Sequence, residues 1–202
     1  KNKNKKKKEG GKRAETVVSV GLDVEWKPHF DGSPSPVDLI QLAAGRDVFL
    51  VDARALRSRL QQQSLENDDE AVSTTLRGVE DTLGFILLSE DFVKVGHGVK
   101  EDLKSCLRSL PGVSSFGKAR RVEELTSHWN LVFKSKKKRS TRRATVSLSH
   151  MTEVLLGKPL DKKRTMSDWS RRPLRESQIH YAALDAYVAL EILEAIKKKQ
   201  HS

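Results

Sequence analysis

Residues 16–26 form the most apolar stretch of the chain, and polar groups interrupt it in a regular way. In an extended segment, side chains two apart share a face. Val18, Val20, Leu22 and Val24 therefore point one way, and Asp23 and Glu25 point together the other way. A buried carboxylate is costly and two neighbouring ones repel, so the pair calls for cations. Residues 27–36 hold Pro28, Gly32, Pro34 and Pro36 and read as a loop. Two further strands are predicted at 37–43 and 47–51, around a turn at Ala44, Gly45 and Arg46.

Beyond this point the period lengthens. Residues 53–63 have helical character, and 64–70 read as a polar loop. Val72, Leu76, Val79, Leu83, Ile86 and Leu87 predict a helix over 72–88. A short strand follows at 92–96, then a helix at 100–110 stopped by Pro111 and Gly112. A strand is expected near 119–125, a helix at 148–156 closed by Gly157, and a last helix at 175–199. Strands first, then helices alternating with short strands, predict an α/β domain with a mixed sheet and helices on its faces. No internal repeat is visible.

Composition sharpens the picture in two places. The net charge of +11 is concentrated: residues 1–13 carry eight Lys/Arg against one Glu, and 134–143 carry seven with no acid. What remains is slightly acidic. The chain is thus read as a basic tail, 1–15, and one domain, 16–199, with a basic insertion, 134–143. These arms are either solvated, or contacts to nucleic-acid phosphates, or a nuclear address. No run of 18 apolar residues predicts a membrane span, and no signal-peptide pattern opens the chain. An intracellular location is expected, with the nucleus, cytoplasm and organelles left open. The chain begins without Met, as a fragment or processed form would. Cys106 is the single cysteine, which excludes an internal disulfide.

Two further acidic positions join Asp23 and Glu25. In the last helix, Ile179, Ala183, Ala186, Leu190 and Leu193 form one apolar stripe. Leu184, Val188 and Ile192 form another, so burial on both sides is expected. Tyr181 and Asp185 stand at i and i+4 on one face; one reading is a Tyr–Asp hydrogen bond that ties the helix to its neighbour. Asp102 falls in the first turn of the helix after the strand at 92–96. It either complements the helix dipole or joins a site at the strand ends. Four carboxylates without a Cys or His cluster suit Mg²⁺ or Mn²⁺ rather than structural zinc.

The segments Gly21-Leu22-Asp23-Val24-Glu25-Trp26, Val95-Gly96-His97-Gly98-Val99-Lys100-Glu101-Asp102 and Tyr181-Ala182-Ala183-Leu184-Asp185 occur in that order. Together they resemble the DEDD family of 3′→5′ exonucleases in its Tyr-containing subclass. Leu156–Lys162 and Ser167–Leu174 match the segment before the third motif in ribonuclease D, in the Werner-syndrome exonuclease domain and, most closely, in Mut-7/Nibbler-type exonucleases. The resemblance covers 16–196. It implies a ribonuclease H-like mixed sheet with helices on both faces. It also implies that Asp23, Glu25, Asp102 and Asp185 hold two Mg²⁺ or Mn²⁺ ions. Glu25 would also touch the attacking water or the terminal 3′-hydroxyl, and Tyr181 would orient the water. The expected reaction removes nucleoside 5′-monophosphates from the 3′ end of single-stranded nucleic acid, RNA favoured over DNA. The basic insertion, and Glu123-Glu124 where many relatives carry Asp-Thr, depart from the pattern and are expected to bear on substrate preference.

Other residues carry smaller expectations. Trp26 is expected in the core, with stacking on a terminal base as the alternative. Trp129 and Trp169 are expected in the core, and Gln41 in a structural hydrogen bond. His97 either serves the turn or approaches substrate. Arg171 and Arg172 either reach phosphate or are solvated. The competing function class is a non-catalytic nucleic-acid-binding scaffold, or ribonucleoprotein component, that retains the fold and binds through its arms. The sequence leaves the oligomeric state open.

Overall fold

The first strand fixes the layers, because its alternation sends one set of side chains to each side of the sheet. The protein was analysed as a computed structural model that describes residues 17–29, 31–133 and 146–200. The basic tail and the basic insertion lie outside the described residues. Strand β1 (Val18–Glu25) sits at the centre of a five-stranded sheet. On one side it pairs antiparallel with β2 (Leu39–Ala44), which pairs antiparallel with β3 (Asp47–Val51). On the other it pairs parallel with β4 (Phe92–Gly96), which pairs parallel with β5 (Val122–Glu124). The sheet is mixed, as expected.

Val20, Leu22, Val24, Ile40 and Leu42 face one layer of helices. That layer is α1 (Ala53–Leu65), α2 (Asp69–Leu88) and α3 (Val99–Ser109), with a short 3-10 turn at Ser114–Lys118. The opposite face carries Asp23 and Glu25 and is covered by α4 (Leu125–Phe133), α5 (Leu148–Leu156) and α6 (Glu176–Gln200). Helices lie on both faces. Strands β3 and β4 and helix α5 have the predicted bounds, and the other predicted elements shift by one to three residues. Strand β2 starts two residues late: Asp38 N still bonds Glu25 O, but the Asp38 carbonyl turns away to accept from Arg54 N. Helix α2 starts three residues early, with Asp68 capping it through Ala71 N. Helix α4 was not foreseen: it has nine residues, and its apolar positions merge with those of the short strand before it.

The long helix α6 crosses β1 at very close range. A Cβ at Gly21 would stand 2.1 Å from the carbonyl oxygen of Ala186, so only glycine allows this crossing. Burial on both sides of α6 holds for Ala182, Ala186, Val188, Ala189, Ile192, Leu193 and Ile196 but not throughout. Ile179 and Leu184 are 41% and 47% exposed.

Between α5 and α6 the chain forms a strap, 157–175. Trp169 is wholly buried against Leu39 and Ala182. Arg172 holds the strap to the far side of the sheet. It pairs with both carboxylate oxygens of Asp52 and donates to the carbonyls of Asp38 and Trp169. Neither reading of Arg172, phosphate contact or solvation, describes it. Lys94 is wholly buried as well and donates Nζ to Ser89 O (3.2 Å) and Phe92 O (2.8 Å), closing the end of α2. Burial pulls its ammonium down to about 8.

Replacing Gly21 by Ala is expected to push α6 from β1, since the obstacle is backbone. The expected loss, read by urea unfolding, is about 3 kcal/mol. A loss below about 0.5 kcal/mol would mean that the crossing tolerates a side chain.

Candidate active site

Three elements bring the carboxylates together. β1 supplies Asp23 and Glu25 near its end, and α6 supplies Asp185 one residue before the crossing at Ala186. Ligand oxygens of Asp23, Glu25 and Asp185 lie within 4.8 Å of one another. Glu25 and Asp185 are buried and Asp23 is half-buried. Asp102 stands next to this trio rather than inside it. It comes from the first turn of α3, is buried, and repels Asp23 and Glu25. All four predicted carboxylates therefore share one region, three of them at ligand spacing.

The electrostatics are those of uncompensated negative charge. Burial, then Asp23, Asp185 and Asp102, pushes the Glu25 carboxyl up to about 10. Burial and Asp185 raise Asp23 to about 7, although the Val24 amide partly offsets them. Burial, with Asp23 and Glu124, raises Asp102 to about 8. Burial raises Asp185 to about 6, and a hydrogen bond from Tyr181 opposes it. Among the described residues none of the four forms a salt bridge, and Asp102 Oδ2 is buried without a hydrogen-bond partner. An orphaned carboxylate oxygen beside three converging carboxyls fits a hard divalent cation, which bonds through oxygen.

Tyr181 lies one turn before Asp185 on α6, as its spacing predicts. Its hydroxyl is 3.0 Å from Thr165 Oγ1, so a strap residue shares in orienting it. Burial, first, and the nearby carboxylates raise the phenol well above its ordinary value. The tie between Tyr181 and Asp185 exists, but within the cluster rather than as a bond between neighbouring elements.

The site opens into a cleft of about 630 Å³ whose walls include Trp26, Pro28, His29, His97, Thr165 and Met166. Trp26 is 39% exposed and Met166 65% exposed, so the expected core placement of Trp26 is overturned. It follows Glu25, the last residue of β1, and lines the cleft. Trp129 and Trp169 are in the core, as expected. His97 lines the cleft and donates Nε2 to Val146 O at 2.6 Å, so it serves both the turn and the wall. Gln41 does not make the hydrogen bond expected of it: both amide atoms are buried without a protein partner, directly across from Asp23 in the β1–β2 register.

Glu124 has a role that the sequence did not reveal. Helix α3 begins at Gly98, whose φ of +86° suits glycine and which has no side chain to cap the helix. Glu124, at the end of β5, accepts from Gly98 N at 2.9 Å and Lys100 N at 3.0 Å instead. It thus braces the turn that carries Asp102, and the departure at Glu123-Glu124 bears on the scaffold of the site. Only the acidic identity of the position, within a predicted strand, signalled this.

The mixed five-stranded sheet with helices on both faces is a ribonuclease H-like fold, and its clustered carboxylates are compatible with metal binding. The family model described as 3′-5′ exonuclease matches residues 3–200, and the chain belongs to that family. It is 33% identical over 183 residues to the exonuclease mut-7 homolog of Homo sapiens, covering 88% of this chain and 20% of that protein. The exonuclease mut-7 homolog of Aedes aegypti is 30% identical over 186 residues, covering 89% of this chain and 24% of that one. The chain thus spans a quarter or less of these relatives. The crystal structure of the Aedes aegypti Nibbler EXO domain superposes with a TM-score of 0.64 at 25% identity, over 93% of this chain and 81% of that one. Escherichia coli RNase D shares the fold, with a TM-score of 0.64 at 21% identity over 93% of this chain and 40% of that one. Among the described residues no helix is long and apolar enough to cross a membrane.

The raised carboxyls make a stability prediction. Their folded values lie above the unfolded values near 4, so they favour the folded state at low pH. That contribution is lost as pH rises through about 6 to 10. Lys94 acts oppositely, because a depressed base loses stability as pH falls towards 8. Asp23→Asn isolates the acidic part. In EDTA it is expected to raise the melting temperature at pH 8 above wild type, with little gain at pH 5. Mn²⁺ is expected to raise wild type more than the variant. Scanning fluorimetry across pH 5–9 checks both, and a variant less stable than wild type at pH 8 would contradict the repulsion.

Proposed function

We propose that the chain is a metal-dependent 3′→5′ exonuclease that shortens single-stranded nucleic acid, RNA in preference to DNA, to nucleoside 5′-monophosphates. The observation that carries this is the convergence of Asp23, Glu25 and Asp185 at ligand spacing, none of them in a salt bridge among the described residues. Asp23, Glu25, Asp102 and Asp185 would hold two Mg²⁺ or Mn²⁺ ions. Such ions lower the pKa of a bound water and offset charge on the attacking and leaving oxygens of an in-line displacement.

The remaining work falls to side chains. Tyr181 keeps its proton, because burial disfavours the phenolate, so it donates a hydrogen bond and does not act as a base. Thr165 fixes the direction of that hydroxyl, which orients the attacking water. Glu25 reaches the same water or the terminal 3′-hydroxyl. Trp26 and Met166 offer apolar surface to the terminal base, and every base has a π-face, so this contact does not select sequence. Preference for RNA rests on likeness to Mut-7 proteins.

The test is a time course on 5′-labelled RNA and DNA of matched sequence, with Mg²⁺, Mn²⁺ or EDTA. A metal-dependent ladder shortening from the 3′ end is expected. Asp23→Ala is expected to reduce the rate about 10³-fold or more. Tyr181→Phe is expected to reduce it about 10²-fold, with little change in KM. Binding without any ladder would favour the scaffold reading, and an Asp23→Ala variant as fast as wild type would remove the carboxylates from the mechanism.

A further inference from the structure

The strap between α5 and α6 carries more positive charge than its structural duties use. Residues 157–175 hold seven Lys/Arg and two Asp. Both acids are engaged: Asp161 with Lys163, and Asp168 with Lys27 and Ser170. Arg172 is consumed by Asp52, and across the gap Asp38 is consumed by Arg57. The side chains of Lys158, Lys162, Arg164, Arg171 and Arg175 have no ion-pair or hydrogen-bond partner among the described residues, and all but the half-buried Arg164 are exposed.

The segment is held in place, not loose. Trp169 is wholly buried at its middle. Gln178 donates to Ser167 Oγ and to Asp168 O, both at 3.0 Å, from the start of α6. Backbone bonds from Thr165 N to Lys162 O and from Ser167 N to Arg164 O close the turn in its centre. That turn presents Thr165 and Met166 to the catalytic cleft, so Arg164 adjoins the wall of the site and Lys162 is two residues further back.

We infer that this strap is the track along which a single-stranded nucleic acid lies as its 3′ end enters the site, with Lys158, Lys162, Arg164, Arg171 and Arg175 meeting successive phosphates. The inference rests on the proposed exonuclease reading and names the surface that reading leaves open. Fixed, unpaired cations on a rigid segment take phosphate without sequence preference and make binding strongly salt-dependent. Arg171 thereby gains the phosphate role that Arg172 does not have.

The test uses the full chain and a labelled single-stranded RNA 20-mer, with binding read by anisotropy in EDTA over a series of salt concentrations. Lys162→Ala/Arg164→Ala/Arg171→Ala is compared with wild type and with Arg59→Ala/Arg77→Ala/Lys118→Ala, which removes equal charge from the helices on the other face. Each lost single-strand phosphate contact lowers the salt slope by about 0.7, so the strap variant is expected to lose about 2 in slope and to bind about tenfold more weakly. The control is expected to keep the wild-type slope. Equal effects in both triple variants would overturn the track, as would an unchanged slope in the strap variant, the result expected if the strap docks an acidic protein instead. Wild-type cleavage in Mn²⁺ is read alongside. Shortening with an unchanged slope rejects the track alone; a reduced slope without shortening keeps the track and rejects the exonuclease.

Discussion

The crossing of α6 over β1 at Gly21 is the constraint on which the site depends. Any side chain there would meet the Ala186 carbonyl, so the helix axis is set by backbone against backbone. Asp185 is the residue just before that contact, and Asp23 lies two residues beyond Gly21 on the same face of the strand. The same approach that packs the helix therefore places carboxylates from two distant segments at ligand spacing. Asp102 arrives by a separate route, through β4, the glycine turn and the Glu124 brace.

The site works against stability. Glu124 steadies α3 with two charge-assisted hydrogen bonds, yet adds a carboxylate that raises Asp102 further. A fold optimised only for stability would place amides or apolar residues at these positions. Keeping acids there, with Asp102 Oδ2 unpartnered, makes sense where a divalent cation supplies the missing charge and the strain is relieved on loading.

Much of this was legible in the sequence because it is periodic. Alternation in 16–26 separated the core face from the acidic face, and the i, i+4 spacing of Tyr181 and Asp185 put both on one side of a helix. The order of the motifs pointed to the family, and β4 and α5 kept their predicted bounds. What escaped was set by tertiary contact. Glu124 caps a helix that begins 26 positions earlier in the chain, and Arg172 closes on Asp52 across 120. Trp26 looked like a core residue because tryptophan usually is one, whereas the sheet ends at Glu25 and leaves it in the cleft. Gln41 was expected to be paired, but the only polar group across from it in the register belongs to Asp23, itself part of the cluster.

A carboxylate cluster is a poor attractor for a polyanion. Among the described residues no Lys or Arg lines the cleft, so its floor offers a polyanion no fixed positive charge. Productive approach therefore needs positive charge beside the site rather than within it. With both acids of the strap engaged in pairs, its remaining cations are left for that purpose, and Arg172 and Trp169 anchor the segment that carries them. In the proposed reading, attraction and chemistry fall to separate, adjoining parts of the surface, joined at Thr165, which belongs to the strap and bonds the hydroxyl of Tyr181.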